Sequence, residues 1–328
     1  MNYNEVHNAF ERLFNHEMSD TQMRDFLISM KLDESTSIEA IAAAASVMRS
    51  HAIGLHVNDE LRGKLIDVVG TGGDKSGSFN ISSTTSILLA ACGSYVAKHG
   101  NRSITSKSGS ADVLETLGIR LDLSLDATTT LLQETGFAFM FAQNHHPAMK
   151  FIMPVRKSID EKTVFNLLGP LTNPAGVEKF LLGVFDKAFV SKVAEALKLN
   201  KAKSAIVVSS RDGMDEISIS DITYAASLRE GIIKNYEIDP EAYGIKRAPF
   251  SAILGGDASQ NATILRNVLY AKADDAQRDV VLINAAHALH VDGKARDIQE
   301  GLEIARDAIA SSKAQQKLQE IIEVSSKL

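Results

Sequence analysis

From residue 64 onward the chain alternates short apolar runs with longer helical patterns, and this alternation restricts its fold more than any other feature. Leu65-Ile66-Asp67-Val68-Val69 reads as a short buried strand cut off by Gly70. Residues 81–91 read as a helix, Tyr95-Val96-Ala97 as a second strand, and residues 111–117 as a second short helix closed by Gly118. Residues 137–141, 180–185 and 205–208 are further strand candidates, with helical patterns between most of them. Strands alternating with helices predict a mostly parallel central sheet covered on both faces. Residues 227–238, with Gly231 among them, read as an antiparallel excursion. The last third returns to helices over 262–270, 280–289, 298–310 and 315–324.

The first sixty residues carry only helical patterns. Val6, Phe10, Leu13 and Phe14 recur at helical spacing. Ser19 and Gln22 form a capping-box signature ahead of a face made by Met23, Phe26, Leu27 and Met30. Thr36 and Glu39 repeat the signature before the alanine-rich stretch 41–47, with Gly54 as the expected stop. The fold class is therefore α/β: a small all-helical domain, residues 1–63, and a larger α/β domain, residues 64–156 and 179–328. Pro154, Pro170 and Pro174, beside Gly169 and Gly176, mark a segment near 157–178 as a crossing back to the helical part.

Several function classes are disfavoured by composition. A formal charge of −6 over 328 residues gives none of the basic stripe expected of a nucleic-acid binder. No apolar run approaches the roughly 18 residues of a membrane span. The N-terminus lacks a charged-then-apolar signal pattern, and one cysteine excludes a disulfide framework. The expectation is a cytoplasmic protein with no membrane or nucleic-acid partner. Cys92 lies in an apolar run and reads as a buried filler.

Chemistry concentrates in the loops. Gly70-Thr71-Gly72-Gly73-Asp74 follows a strand and precedes a helix. Glycines there let the backbone turn sharply, and exposed amides before a helix favour an anion. Many such turns simply close a strand, and this one has neither the Walker nor the dinucleotide spacing. Context strengthens the signal. Asn80-Ile81-Ser82-Ser83-Thr84 offers four polar side chains in five positions, more than capping needs. Lys98-His99-Gly100-Asn101-Arg102 leaves the second strand, and Ser106-Lys107-Ser108-Gly109-Ser110-Ala111-Asp112 enters the second helix. In a parallel sheet such loops gather beyond the carboxyl ends of the strands. Together they supply the neutral donors and few cations that a diphosphate requires. Asp74 is unexpected beside phosphate: it could orient amides, take a sugar hydroxyl or join a metal network.

Gly213-Met214-Asp215-Glu216-Ile217-Ser218 places two adjacent carboxylates ahead of a short β-type run. Such pairs are common on surfaces, but magnesium takes carboxylates together with substrate phosphates. His145-His146-Pro147-Ala148 is no zinc motif, since no cysteine or carboxylate stands at ligand spacing. Arg156 could meet a substrate carboxylate with a bidentate fork or could be a surface arginine.

In order along the chain, these residues resemble the anthranilate phosphoribosyltransferases, in the class grouped with type II nucleoside phosphorylases. The resemblance runs through 70–74, 79–83, 96–102, 106–118, 146–150, 155–157, 165–174 and 213–218, and includes Leu282-Ile283-Asn284-Ala285-Ala286. It implies transfer of a phosphoribosyl group from phosphoribosyl pyrophosphate to the amine of anthranilate in tryptophan biosynthesis, with Mg2+. It also implies a homodimer through the helical domain and a hinge that closes the site. By similarity, Gly70, Thr71, Gly72, Gly73, Asp74, Asn80, Ser82, Ser83, Lys98 and Ser110 bind phosphoribosyl pyrophosphate. Gly70, Asn101, His146, Arg156 and Pro170 line the anthranilate path. Ser82, Asp215 and Glu216 hold the metal, and no residue is assigned as general acid or base. The chain departs from the family pattern at Ser83, where threonine is usual, and at Lys162, where arginine is common. His287 and His290 stand where plainer helix residues are expected. A pyrimidine nucleoside phosphorylase and a non-catalytic nucleic-acid-binding relative are the alternatives that share this architecture.

Overall fold

The structure, a computed structural model, describes residues 1–72, 74, 76–103 and 107–328. The chain opens with α1 (Tyr3–Phe14), α2 (Asp20–Ser29), α3 (Ile38–Ser50) and the single turn α4 (Asp59–Arg62). Ser19 and Gln22 cap α2 reciprocally, as the sequence predicts. The signature at Thr36 and Glu39 is displaced by one residue. Ser37 caps α3 by accepting from Ala40 N, while Thr36 Oγ1 accepts from Asp33 N in the preceding turn. Helix α3 ends at Ser50, short of Gly54, with His51 as its final cap.

Then come β1 (Leu65–Gly70), α5 (Ile81–Ala91), β2 (Tyr95–Gly100), α6 (Ser110–Thr116), α7 (Leu125–Thr135) and β3 (Phe137–Phe141). Three helices follow without a strand: α8 (Ala142–His145), α9 (Met149–Lys157) and α10 (Phe165–Leu171). The sheet resumes with β4 (Lys179–Gly183), α11 (Val190–Leu199), β5 (Ser204–Ser210), β6 (Thr223–Arg229) and β7 (Ile232–Ile238). Four helices close the chain: α12 (Ala258–Leu269), α13 (Asp275–Asp292), α14 (Ile298–Ala310) and α15 (Lys313–Lys327). The antiparallel excursion begins at Thr223, earlier than expected. The β-type run expected after Glu216 is loop instead: Ile217 and Ser218 precede β6 without joining the sheet.

The seven strands are ordered β3-β2-β1-β4-β5-β6-β7. The first five are parallel, β6 pairs antiparallel with β5, and β7 pairs antiparallel with β6. Alternate residues of each inner strand feed different cores. Ile66, Val68 and Val96 pack with α5, α6 and α12 to α15. Leu65, Val69 and Ala97 pack with the N-terminal helices, α10 and α11. Burial on both faces is why the parallel strands read as unbroken apolar runs. Because β1 is followed by β2 and β3 on one side and by β4 on the other, the order reverses between β1 and β4. In open α/β sheets, ligands bind at such a reversal, outside the carboxyl ends of the strands.

Candidate active site

Gly70 and Gly183 are register partners at the ends of β1 and β4, on either side of that reversal. The Thr71 amide donates to Gly183 O at 3.0 Å, so the strand pairing continues one step into the loop. Gly72 then takes a φ of +65°, a left-handed conformation suited to glycine. This turn directs the amide of Gly72 and the hydroxyl of Thr71 at one acceptor, Asp215 Oδ2, at 2.8 and 3.1 Å. Asp74 approaches from the same loop: its Oδ1 accepts from Ser76 N, and its Oδ2 lies 3.5 Å from Asp215 N. Among the functions open to Asp74, orienting loop amides is the one its contacts display.

The carboxylate loop after β5 is held from α13. Asn284, fully buried, accepts from Ile217 N at 3.1 Å and donates to Ile217 O at 2.8 Å. This pair of bonds replaces the strand pairing expected there. It fixes the backbone beside Asp215 and Glu216.

Lys98, 1% exposed, reaches beneath the sheet's carboxyl edge and donates to Val68 O at 2.7 Å and to Ser82 Oγ at 3.2 Å. Burial holds its ammonium pKa below the usual lysine value, opposed by the charges of Asp67, Glu216 and Asp215. The carboxylates shift the other way. Asp215 is pushed up to about 6, first by burial and then by Asp74. Glu216, although partly exposed as a residue, is pushed up to about 8 by loss of water and then by Asp215. Three acids converge here on one buried ammonium, so the site carries surplus negative charge that a cation would relieve.

A second network ties α10 to the same edge. Asp67, wholly buried, accepts from His99 N at 3.2 Å and from Asn173 Nδ2 at 2.8 Å. Asn173 also donates to Ala97 O at 2.7 Å. His99 Nδ1 lies 2.9 Å from Gly169 O, a group that only accepts, so Nδ1 carries the proton. Burial, then His146, drives the His99 pKa down to about 3, and burial lowers His146 to about 4. Both rings are therefore neutral at pH 7, with centroids 5.3 Å apart. His146 and Pro170 thus lie in one buried assembly joined to β2 through His99.

Other expected residues are placed differently. Asn101 Oδ1 accepts from Arg102 N at 2.8 Å, and its carbonyl receives Ala111 N as α6 begins at Ser110. Asn80 does not cap α5 with its side chain. The Ser83 hydroxyl is enclosed and has no partner among the described residues, whereas Ser82 joins Lys98. The guanidinium of Arg156 lies 5.6 Å from the Phe165 ring, with Met153 Sδ at 3.9 Å. Among the described residues it has no carboxylate partner, and burial lowers its pKa. No direct contact links it to the Asp215 group. Lys162, the arginine substitute, sets its ammonium 3.4 Å from the Phe185 ring centre, a cation–π contact. Gly73 and Ser106 lie outside the described residues.

Two residues escape sequence reasoning. Gly183 reads as the interior of a strand over 180–185, but β4 ends on it as β1 ends on Gly70. Asp67 is hidden in an apolar run. Among the described residues no helix is long and apolar enough to cross a membrane.

Residues 62–315 match the family model described as "Glycosyl transferase family, a/b domain". The chain is 46% identical to the anthranilate phosphoribosyltransferase of Xanthobacter autotrophicus over 98% of its own length and 91% of the relative's. It is 43% identical to that of Methanobrevibacter smithii, covering 98% and 95%. Among solved structures it resembles the Thermus thermophilus anthranilate phosphoribosyltransferase with a TM-score of 0.92, at 35% identity over 99% of this chain and 96% of the other. It also resembles the Saccharomyces cerevisiae enzyme in complex with PRPP and Mg, with a TM-score of 0.89 at 26% identity over 100% and 94%. With family model, relatives and fold in agreement over nearly the whole length, the chain belongs to the anthranilate phosphoribosyltransferase family.

Proposed function

We propose that this chain transfers the phosphoribosyl group of phosphoribosyl pyrophosphate to the amine of anthranilate, releasing pyrophosphate. One observation carries the reading: at the reversal between β1 and β4, Asp215 is bonded by the Gly70-Thr71-Gly72 turn, and Glu216, Lys98 and Ser82 interact with it or with one another beside it. The yeast relative solved with PRPP and Mg and the one solved with 4-fluoroanthranilate support the two substrates.

The donor set fits magnesium. Two adjacent carboxylates and the Ser82 hydroxyl are hard oxygen ligands in surplus negative charge. Among the described residues no three acids, histidines or cysteines form a cage, so substrate oxygens and water would complete the shell. Bound there, magnesium would neutralise charge on the departing pyrophosphate.

In the reaction the bond from the anomeric carbon to pyrophosphate breaks, and its electron pair leaves with the pyrophosphate. The amine lone pair forms the new carbon–nitrogen bond, and the amine then loses a proton to the released pyrophosphate or to water. Anthranilate's amine is neutral at pH 7, so no strong base is required, and none is assigned. Asn80, Ser82, Ser83, Lys98 and Ser110 would hold the diphosphate by hydrogen bonds directed at developing charge. Asn101, His146, Pro170 and Arg156 would hold anthranilate against the anomeric carbon, which supplies much of the remaining acceleration. His99 and His146 are neutral at pH 7, which leaves Arg156 as the charged group proposed for the path.

We also infer a two-domain organisation, with residues 1–63 helical and joined by a segment near 157–178, a hinge between the domains that closes the site, a homodimer through the helical domain, and a cytoplasmic location. The deciding experiment is anthranilate fluorescence followed with phosphoribosyl pyrophosphate and magnesium; the chain has no tryptophan, so its own background is low. Decay that requires enzyme, both substrates and metal supports the reading. No decay from folded protein overturns it, and phosphorolysis of thymidine or a salt-dependent shift of DNA would then identify which alternative holds.

A further inference from the structure

We propose that Asn261 is a positioning residue for the diphosphate site, locking the side-chain amide of Asn80 so that it offers N–H donors and no acceptor. This rests on the reading above that Asn80 meets the diphosphate. Amide oxygen and nitrogen are normally assigned only from their partners. Here a backbone group settles the assignment. Gly256 N can only donate, and it lies 2.7 Å from one end of the Asn261 amide, which must therefore be Oδ1. The other end is then Nδ2, a donor. It lies 2.9 Å from the Asn80 side chain, so the atom it meets is Asn80 Oδ1. Asn80 is left with its NH2 group on the side that Asn261 does not hold.

Two further observations fit. Asparagine is among the preferred helix caps, through its oxygen, yet Asn80 makes no side-chain cap bond to α5. Its oxygen is given to Asn261 instead, while the Ile81 amide donates to Phe79 O and the Ser82 amide to the Glu216 carboxylate. Asn261 is 3% exposed, so its amide would be costly to leave unpaired. The contact also depends on a close approach between segments. A Cβ on Gly255 would fall 2.6 Å from Asn261 Oδ1 and 2.7 Å from Phe79 Cα. Gly255 N donates to Gly77 O at 2.8 Å, and Phe79 N donates to Ile253 O at 3.2 Å. The start of α12 and the segment before it thus brace the 77–80 loop from behind. A diphosphate presents only acceptors, so an Asn80 amide turned the other way would repel it.

The test is steady-state kinetics of the full chain with magnesium and both substrates. Asn261→Asp still accepts from Gly256 N but turns an oxygen toward Asn80. The Asn80 amide must then flip, and its oxygen faces the diphosphate. The KM for phosphoribosyl pyrophosphate should rise roughly 10- to 100-fold, while the KM for anthranilate stays within about twofold. In an Asn80→Ala background the same substitution should add no more than about twofold, because Asn261 acts through Asn80. A wild-type KM in Asn261→Asp, with a raised KM in Asn80→Ala, would overturn the proposal. So would an equal effect of Asn261→Asp with and without the Asn80 side chain, which would reveal simple charge repulsion. If Asn80→Ala leaves the KM unchanged, the diphosphate role of Asn80 fails and takes this proposal with it. Should Asn261→Asp not fold, Asn261→Leu removes both bonds at similar volume and is read in the same way.

Discussion

Gly70 stands so close to Asp215 that a Cβ on Gly70 would fall 2.6 Å from Asp215 Oδ2 and 2.8 Å from its Cγ. The end of β1 therefore has room for a hydrogen and nothing larger. Its register partner Gly183 stands tighter still, against the main chain of Asp215. Two strand-ending glycines make a notch, and the carboxylate that the Thr71 hydroxyl and Gly72 amide address is seated in it.

The notch gives the first prediction. In Gly70→Ala the new methyl meets a side chain that can move, so the protein should fold but with Asp215 displaced. A shift of about 1 Å at a reacting site can cost on the order of 100-fold. We expect kcat/KM to fall by about that factor and the magnesium requirement to rise. In Gly183→Ala the methyl meets backbone, which no rotamer relieves, and stability should fall by about 1–3 kcal/mol. Urea denaturation and kinetics on both variants check this. Wild-type stability in Gly183→Ala would show that the notch is looser than described.

The acids give the second. Asp215→Asn removes a negative charge, and Glu216→Gln removes a carboxyl group, raised to about 8, that gives up its proton to become a metal ligand. Each should raise the magnesium concentration for half-maximal turnover by roughly 10-fold or more, the order expected for losing one charge-assisted contact. Normal turnover at low magnesium in either variant would show that the metal lies elsewhere.

Arg156 has no carboxylate partner among the described residues, and burial makes its charge costly. An anionic substrate would relieve that cost. Arg156→Ala should raise the anthranilate KM roughly 10- to 100-fold, from the loss of hydrogen bonds to a charged group. The phosphoribosyl pyrophosphate KM should change far less. Arg156→Lys should recover only part, because the fork is lost. The reverse ranking of the two KM effects would remove Arg156 from the anthranilate path.

His287 is wholly buried in α13, with Nδ1 bonded to Ile283 O and Nε2 without a partner among the described residues. Burial lowers its pKa from 6.5 to about 4. Between those values the unfolded chain binds the proton and the folded chain does not, so stability rises with pH. The stability is fully present above about pH 6.5 and is lost as pH falls to 4, roughly 3 kcal/mol from this residue. His99 and His146 are lowered in the same sense. In His287→Asn the slope of stability against pH near pH 5 should decrease by roughly one proton's worth, about 1.4 kcal/mol per pH unit. Denaturation series from pH 4 to 7 on both proteins measure it. An unchanged slope would show that His287 is protonated in the folded state.

Much of this protein is determined by local order in the chain. The strand ended by Gly70, the helix over 81–91 and the capping box at Ser19 and Gln22 depend on burial, periodicity and caps within a few residues, and they are where the sequence puts them. The polar loops and the Asp215-Glu216 pair are legible for the same reason, since residue type alone marks them. The rest depends on distant contacts. Ile217 and Ser218 read as strand, but Asn284 takes the backbone bonds that a neighbouring strand would have taken. Thr36 reads as a cap, but its hydroxyl is drawn into the turn at Asp33. Asn80 reads as a cap, but its oxygen goes to Asn261. Gly183 reads as the middle of a strand over 180–185, but β4 stops on it, and the Asp215 backbone that leaves it no room arrives from a later loop. Sequence lists the donors and acceptors of each segment. Only the folded chain decides which of them meet, because a polar group takes the partner that burial brings closest.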